Sequence, residues 1–180
     1  MSRARAASAA ILSMVLACVA GGCTLEPRPD PGAGKDADSP APAQPTMPAV
    51  ARDHTDAGAV AFVRYFYEVQ NYAMATGDVD QLEALASEAC RECREDVASF
   101  AAGDQLGHWV GGNRTVDRTD EVPPGDIGHW AAHVTGSDAP ATLVLDDGQR
   151  KAYDGGPFEL DLYLVWKAGG WAVHWMIPRS

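Results

Sequence analysis

The chain has 180 residues, a formal net charge of -11 and 46% hydrophobic residues, which is enough for one ordinary domain and too little for two large ones. A chain this acidic lacks the basic patch that phosphate binding needs, so nucleic acid is excluded as a partner. No spacing of residues typical of a catalytic centre stands out, and location and fold are easier to infer here than activity.

The first residues have the pattern of an export signal. Two arginines precede an apolar stretch at 9–20, which is too short to span a membrane, and small residues follow it up to Cys23. This pattern predicts a cleaved signal peptide at 1–22. A secretory signal that carries a cysteine by chance is the alternative, and Cys18 is a weaker candidate for the cleavage position.

The run VAGGC at 19–23 resembles a bacterial lipobox. The resemblance implies that Cys23 becomes an acylated N-terminus and holds the protein at the extracytoplasmic face of the bacterial cell membrane. Loss of the signal peptide removes two arginines and no acid, which takes the net charge from -11 to -13. Anionic headgroups would repel such a chain, so the acyl chains must provide the anchoring.

The segment 23–53 is predicted to be a disordered tether. Seven prolines lie between residues 24 and 50, and aromatic or branched apolar side chains are almost absent. Such a segment cannot bury enough surface to offset the entropy of folding. About 30 residues reach roughly 30 Å as a random coil and roughly 90 Å if extended. The folded domain is then expected at 54–180.

The first half of this domain is predicted to be helical. Thr55 can cap a helix whose apolar residues recur every three or four positions as far as Ala73, and Gly77 ends it. A short second helix is expected to follow a capping box at Asp78, and Ser87 can start a third.

After Gly103 the apolar spacing changes to two, which is typical of half-buried strands. The clearest pair is 158–167 and 171–177, joined by an Ala-Gly-Gly turn as a long hairpin. Helices followed by such strands indicate an α+β domain, with the N-terminal helices packed on one face of a strongly curved antiparallel sheet.

The two faces of the predicted sheet carry different side chains. The inward positions are aromatic or aliphatic, whereas histidines and Asp161 alternate to the outside. The expected lining of a ligand cavity is Trp130, Leu162, Trp166, Trp175 and, from the first helix, Tyr72. Because the inner strand face carries no acid or base, no catalytic residue, metal site or cofactor is predicted. The histidines are expected to be solvated or locally hydrogen-bonded.

The remaining cysteines, Cys90 and Cys93, lie on the oxidising side of a membrane if the protein is exported, which predicts a structural disulfide. A redox CxxC is the alternative, but the flanking segments are helical rather than part of a βαβ unit. A zinc site is a further alternative, for which a single CxxC supplies only half the ligands.

Four segments carry a resemblance to a known family: AFVRYF at 61–66, NYAMATGD at 71–78, CREC at 90–93 and GG at 111–112. They resemble an uncharacterised domain family of actinobacterial lipoproteins, over most of 54–180. The order of elements is similar to the cone-shaped, cystatin-like fold of nuclear transport factor 2, ketosteroid isomerase and SnoaL-like proteins. The resemblance implies location and fold, but no mechanism.

Three functions are therefore weighed. The favoured one is a lipid-anchored protein whose domain binds an envelope protein or an apolar small molecule without chemistry. An envelope enzyme of the SnoaL or ketosteroid isomerase type is the second, and it requires a buried acid or base in a pocket. A purely architectural envelope component is the third.

Overall fold

A computed structural model describes residues 42–122 and 129–179 of the chain. The helices are α1 (Asp56–Thr76), α2 (Asp80–Ala84) and α3 (Arg91–Leu106), preceded by a 3-10 turn at Ala49–Arg52. The strands are β1 (Gly107–Gly111), β2 (Arg114–Val122), β3 (Trp130–Asp138), β4 (Ala141–Leu145), β5 (Arg150–Tyr153), β6 (Gly156–Lys167) and β7 (Gly170–Pro178). None of the described helices has both the length and the apolar character needed to cross a membrane.

The helix ends follow local capping chemistry. The Thr55 hydroxyl accepts a hydrogen bond from the Gly58 amide at 3.0 Å, and Gly77 ends α1 in the left-handed region with φ of 75°. The third helix starts at Arg91 rather than at Ser87, because Cys90 is its N-cap. Both ends of α1 are therefore as predicted, whereas α3 begins four positions after its predicted start at Ser87.

The strands form two antiparallel sheets, in the orders β2-β3-β6-β7 and β1-β4-β5. Backbone hydrogen bonds connect the two sheets, from Gly112 to Pro140 at 3.0 Å and from Ala139 to Asn113 at 2.9 Å. Gly111 and Gly112 have φ of 75° and 85° there, which L side chains rarely adopt. The sheet surface therefore bends sharply where β1 leads to β2 and β3 leads to β4.

The core lies between α1 and the four-stranded sheet. From α1, Phe62 and Phe66 are fully buried, and they share one apolar cluster with Leu162, Leu164 and Val173 of the sheet. Burial of this area is the main stabilising contribution to such a domain. The α+β prediction, with helices packed on a curved antiparallel sheet, is confirmed.

The predicted hairpin forms, but its register changes partway along. The chain turns at Ala168 and Gly169, both with positive φ, and Leu164 pairs with Val173. The next pair, however, joins Tyr163 to Trp175, so one extra residue forms a β-bulge. A one-residue shift reverses the facing of every later side chain.

The bulge places Trp175 on the outer face, where it is 36% exposed, and Met176 is buried, at 5% exposure. The prediction that Trp175 lines an inner cavity is therefore wrong. Strict alternation along the strand predicts an inward-facing Trp175, and the sequence has no glycine or proline near this position that marks the interruption.

Ordered structure also begins before residue 54. Ala51 is buried at 1% exposure. The Gln81 amide donates to the Pro45 carbonyl at 3.2 Å, and the Trp171 indole donates to the Asp53 carbonyl at 2.9 Å. Side chains of the domain thus bind the backbone of the last part of the predicted tether, so the boundary at residue 54 is too late. The predicted signal peptide, Cys23 and the rest of the tether lie outside the described residues.

Candidate functional site

The cysteine pair at the start of α3 forms the predicted disulfide. The two sulfurs are 2.04 Å apart, and both residues are fully buried. The Cys90 sulfur also accepts a hydrogen bond from the Cys93 amide at 3.2 Å, so the bridged turn caps the helix. Within the described part of the chain, no three His, Cys, Asp or Glu side chains come together as a metal-binding group.

A cavity of about 240 Å³ opens near the end of α1, between α1, α3 and the bend of the sheet. We call it the polar cavity. Its charged and amide-bearing lining comes from α1, α3, β2, β3 and the residue after β5: Gln70, Asn71, Asp96, Arg114, Asp138 and Asp154. Its apolar wall includes Met74, Phe100 and Trp109.

The polar side chains of this cavity form one hydrogen-bonded chain. The Gln70 amide nitrogen donates to Oδ2 of Asp96 at 2.6 Å, and the Gln70 oxygen accepts from Nη1 of Arg114 at 3.5 Å. The guanidinium also binds Asp138 through two bonds of 2.5 and 2.7 Å. A bidentate pair of this kind fixes the orientation of both groups.

Backbone contacts hold Arg114 in place. The Asn71 side chain donates to the Arg114 carbonyl and accepts from the Arg114 amide, both at 2.8 Å. The guanidinium carbon lies 4.7 Å from the Phe158 ring centroid and 5.7 Å from that of Tyr67. Such positions over an aromatic face stabilise a cation. The start of β2 is thus attached to α1 at the cavity.

Burial changes the protonation of this cluster. It raises the pKa of Asp96 to about 6, against the opposing effects of the Arg114 charge and the Gln70 hydrogen bond. Burial likewise raises the pKa of the Tyr67 phenol, whose hydroxyl has no hydrogen-bond partner among the described residues. Asp96 can therefore gain or lose a proton near neutral pH, which an ordinary aspartate does not do.

A second cavity, of about 520 Å³, lies at the start of α1. We call it the tryptophan cavity, because Trp130, Trp166 and Trp171 line it together with His54. The His54 ring stacks on Trp166 with centroids 4.5 Å apart and meets Trp171 edge-on at 5.1 Å. The two cavities therefore differ in character, one hydrogen-bonding and one aromatic.

The five residues predicted to line a cavity are not brought together. Trp130 and Trp166 line the tryptophan cavity, and Leu162 is fully buried in the core. Tyr72 donates to Asp78 at 3.2 Å on the exposed end of α1, and Trp175 is on the outer face.

The histidines near β3 and β7 have local partners, and one of them, His129, also lines the tryptophan cavity. His133 approaches Asp161 at 3.4 Å, and His129 stacks on His174 with centroids 4.5 Å apart. Nδ1 of His174 lies 3.0 Å from the Ser87 hydroxyl, and burial, then the nearby His129, lowers the pKa of His174. The expected local hydrogen bond is present for His174, whereas Nδ1 of His129 and Nδ1 of His133 are buried without a hydrogen-bond partner among the described residues.

The alternation along the strands does not predict the polar cavity, because the acid of this cavity lies on a helix. Asp96 comes from α3 and Arg114 from β2, whereas the prediction that no acid or base faces inward rests on β3, β6 and β7. One signal was present: Gln70 interrupts the apolar stripe of α1 between Phe66 and Ala73, and it is only 4% exposed. A buried amide needs polar partners.

Solved structures with a similar arrangement share little sequence with this chain. The intermembrane-space region of the chloroplast protein ARC6 is 14% identical with a TM-score of 0.50, over 71% of this chain and 100% of that one. A conserved protein from Planctomyces limnophilus DSM 3776 is 16% identical with a TM-score of 0.46, over 71% and 100% of the two chains. A variant of a protein called Rd1NTF2_05 is 12% identical with a TM-score of 0.36, over 67% and 99%.

Identities this low indicate similarity of fold alone. Of these three structures, only the ARC6 region has a TM-score high enough to support that similarity. No curated protein matches the chain in sequence. A family model does match, over residues 32–176, which is most of the chain. The protein belongs to the family of unknown function DUF6318.

Proposed function

We propose that this protein is a lipid-anchored, extracytoplasmic protein of an actinobacterial envelope, whose domain binds a small organic molecule in the polar cavity. The observation that carries the proposal is the hydrogen-bonded chain of Gln70, Asp96 and Arg114 beside an apolar wall. Ligand sites typically combine a few fixed polar groups with apolar surface and with perturbed pKa values.

The lining restricts the ligand. A volume of about 240 Å³ is below the range of roughly 300 to 1,000 Å³ typical of drug-sized ligands. The ligand is therefore small. One end of the ligand forms hydrogen bonds with Asp96 and Arg114, and its other end packs against Trp109 and Met74.

Binding in this cavity is tested with a library of small aromatic alcohols, amines and carboxylic acids, followed by NMR of the indole N–H groups. Ligands of the polar cavity are expected to shift the Trp109 signal and leave the Trp175 signal unchanged. Replacing Trp109 with Phe should assign the signal. Hits that shift only Trp175, or a library without hits, would contradict the proposal.

Anchoring rests on the lipobox-like run at 19–23 and the acidic, proline-rich segment behind it. Replacing Cys23 with Ser is expected to release the protein from the membrane fraction or to leave an unprocessed precursor. The substitution Cys18→Ser is the matched control and should change neither. Full membrane retention of the Cys23 variant would refute acylation at this position.

A second function, proton-transfer catalysis, is favoured by one observation: the pKa of Asp96 is raised to about 6 in a cavity. This half-buried carboxyl could serve as the acid or base in a pocket that an envelope enzyme of the SnoaL or ketosteroid isomerase type requires. The two functions differ in the fate of a bound molecule. Deuterium exchange or isomerisation of a hit by the native protein, absent with Asp96→Asn, would favour the enzyme.

A further inference from the structure

We propose that the tryptophan cavity is a second binding site, specific for an organic cation of the quaternary ammonium class. The site is separate from the polar cavity, because it lies at the opposite end of α1 and shares no lining residue with it. The proposal therefore does not depend on what the polar cavity binds.

The aromatic rings of this cavity face in different directions. Trp166 and Trp171 are nearly perpendicular, at 79°, with centroids 5.0 Å apart. Trp130 is tilted by 56° from Trp171 at 6.4 Å. Trp166, Trp171 and His54 are in mutual contact and form one packed wall of the open cavity, which Trp130 also lines, so a compact group in the cavity can lie against more than one ring.

Other contacts hold the walls in position. The Trp171 indole donates to the Asp53 carbonyl at 2.9 Å, and its ring is only 8% exposed. His54 stacks on Trp166 with an interplanar angle of 9°. A preformed aromatic wall loses little conformational entropy when a ligand binds.

The charge around the cavity selects a cation. Asp56 and Glu121 both lie in the lining and are exposed at its edge. The described lining residues include no lysine or arginine. Two carboxylates with no lysine or arginine beside them in the lining, on a chain with a net charge of -11, favour positive ligands over anions.

The chemistry of the walls narrows the class further. Indole faces attract cations more strongly than other aromatic rings do. Small metal ions prefer several oxygen ligands at short distances, which an indole wall does not offer. A quaternary ammonium has no N–H groups to satisfy and presents methyl groups to the rings, so it matches this lining. The cavity volume of about 520 Å³ is ample for a choline-sized molecule.

The test compares choline with 3,3-dimethylbutan-1-ol, which has nearly the same shape and no charge. Tryptophan fluorescence of the full-length chain in a non-ionic detergent follows both titrations. We expect choline to bind about ten times more tightly than the alcohol, because a cation–π contribution of about 1 to 2 kcal/mol corresponds to a factor of this size. Equal binding of the two, tighter binding of the alcohol, or binding of neither would overturn the proposal.

Four variants locate the site. Replacing Trp166 with Leu should weaken choline binding at least fivefold, and Trp175→Leu, which removes the outer-face indole, is the matched control and should leave it unchanged. Replacing Glu121 with Gln at the rim should reduce the preference for choline over the alcohol and leave the melting temperature unchanged. Choline binding that is lost with Trp175→Leu but kept with Trp166→Leu would place the site elsewhere and overturn the proposal. A polar-cavity variant, Trp109→Phe, should keep choline binding whatever that cavity binds.

Discussion

Trp175 pairs with Tyr163 across the β6–β7 hairpin, and their rings meet at 70° with centroids 5.9 Å apart. The pair lies on the outer face of the sheet, beyond the bulge. Trp171, on the same strand but before the bulge, faces the core and is 8% exposed. Two tryptophans four residues apart on one strand therefore occupy opposite faces.

This difference predicts unequal losses of stability. Trp171→Ala should lower the free energy of unfolding by about 3 to 5 kcal/mol, because it leaves a cavity in the core. Trp175→Ala should lower it by only about 1 kcal/mol, since the ring is partly exposed. Urea unfolding of both variants measures the difference. Equal losses would mean that the hairpin register has no bulge at this point.

Asp96 predicts a specific pH dependence. Burial raises the pKa of this carboxyl to about 6 in the folded protein, above the value of about 3.9 expected in the unfolded chain. The folded state therefore holds the proton more tightly, and this group's contribution to stability is lost as the pH rises from about 4 to about 6. The substitution Asp96→Asn removes that loss.

The measured quantity is the difference in unfolding free energy between Asp96→Asn and the native protein. It should grow as the pH rises from 4 to 7 and should reach about 1 to 3 kcal/mol in favour of the variant. Asp117→Asn, at an exposed position of β2, is the control. A difference that stays constant over this range would show that Asp96 ionises normally.

Arg114 and Arg118 lie on the same strand and each binds an aspartate, but their settings differ. The Arg114 side chain is 26% exposed, whereas that of Arg118 is 73% exposed. Lysine cannot reproduce the two parallel bonds to Asp138 or the stacking on Phe158. Arg114→Lys should therefore lower stability by about 1 to 2 kcal/mol.

The matched control, Arg118→Lys, should leave the melting temperature almost unchanged, because exposed ion pairs contribute little. Thermal unfolding of the two variants side by side makes the comparison. A larger effect at position 118 would contradict the view that the polar cavity organises this part of the sheet.

The disulfide should stabilise one turn and little more. The bridge closes a very short loop between Cys90 and Cys93, so its effect on the unfolded chain is small. Replacing both cysteines with Ser is expected to lower stability by about 1 to 3 kcal/mol while the fold remains. A thiol assay on the native protein, unfolded without reductant, should detect neither cysteine. Loss of the fold in the double variant would assign the bridge a larger role.

Local signals in the sequence were sufficient for the helices and the class of fold. Thr55 and Gly77 define the ends of α1 through contacts within a few residues, which is why both ends were predictable. The bulge after Val173 depends on how two strands twist against each other, so it was not predictable from local sequence. The polar cavity depends on side chains far apart in sequence, such as Gln70 and Asp96. The one sequence signal for the polar cavity was the Gln70 amide within the apolar stripe of α1.

The segment before α1 determines how the domain would respond to mechanical load. A pull on the chain from its N-terminal side first meets the Pro45 and Asp53 carbonyls, which are held by Gln81 and Trp171. These bonds and the buried Ala51 would yield one after another, before the Thr55 cap of α1 is reached. The polar cavity, at the far end of the same helix, would keep its shape during this peeling. Tension on an anchored chain would thus open the tryptophan cavity wall first and leave the hydrogen-bonded cluster intact.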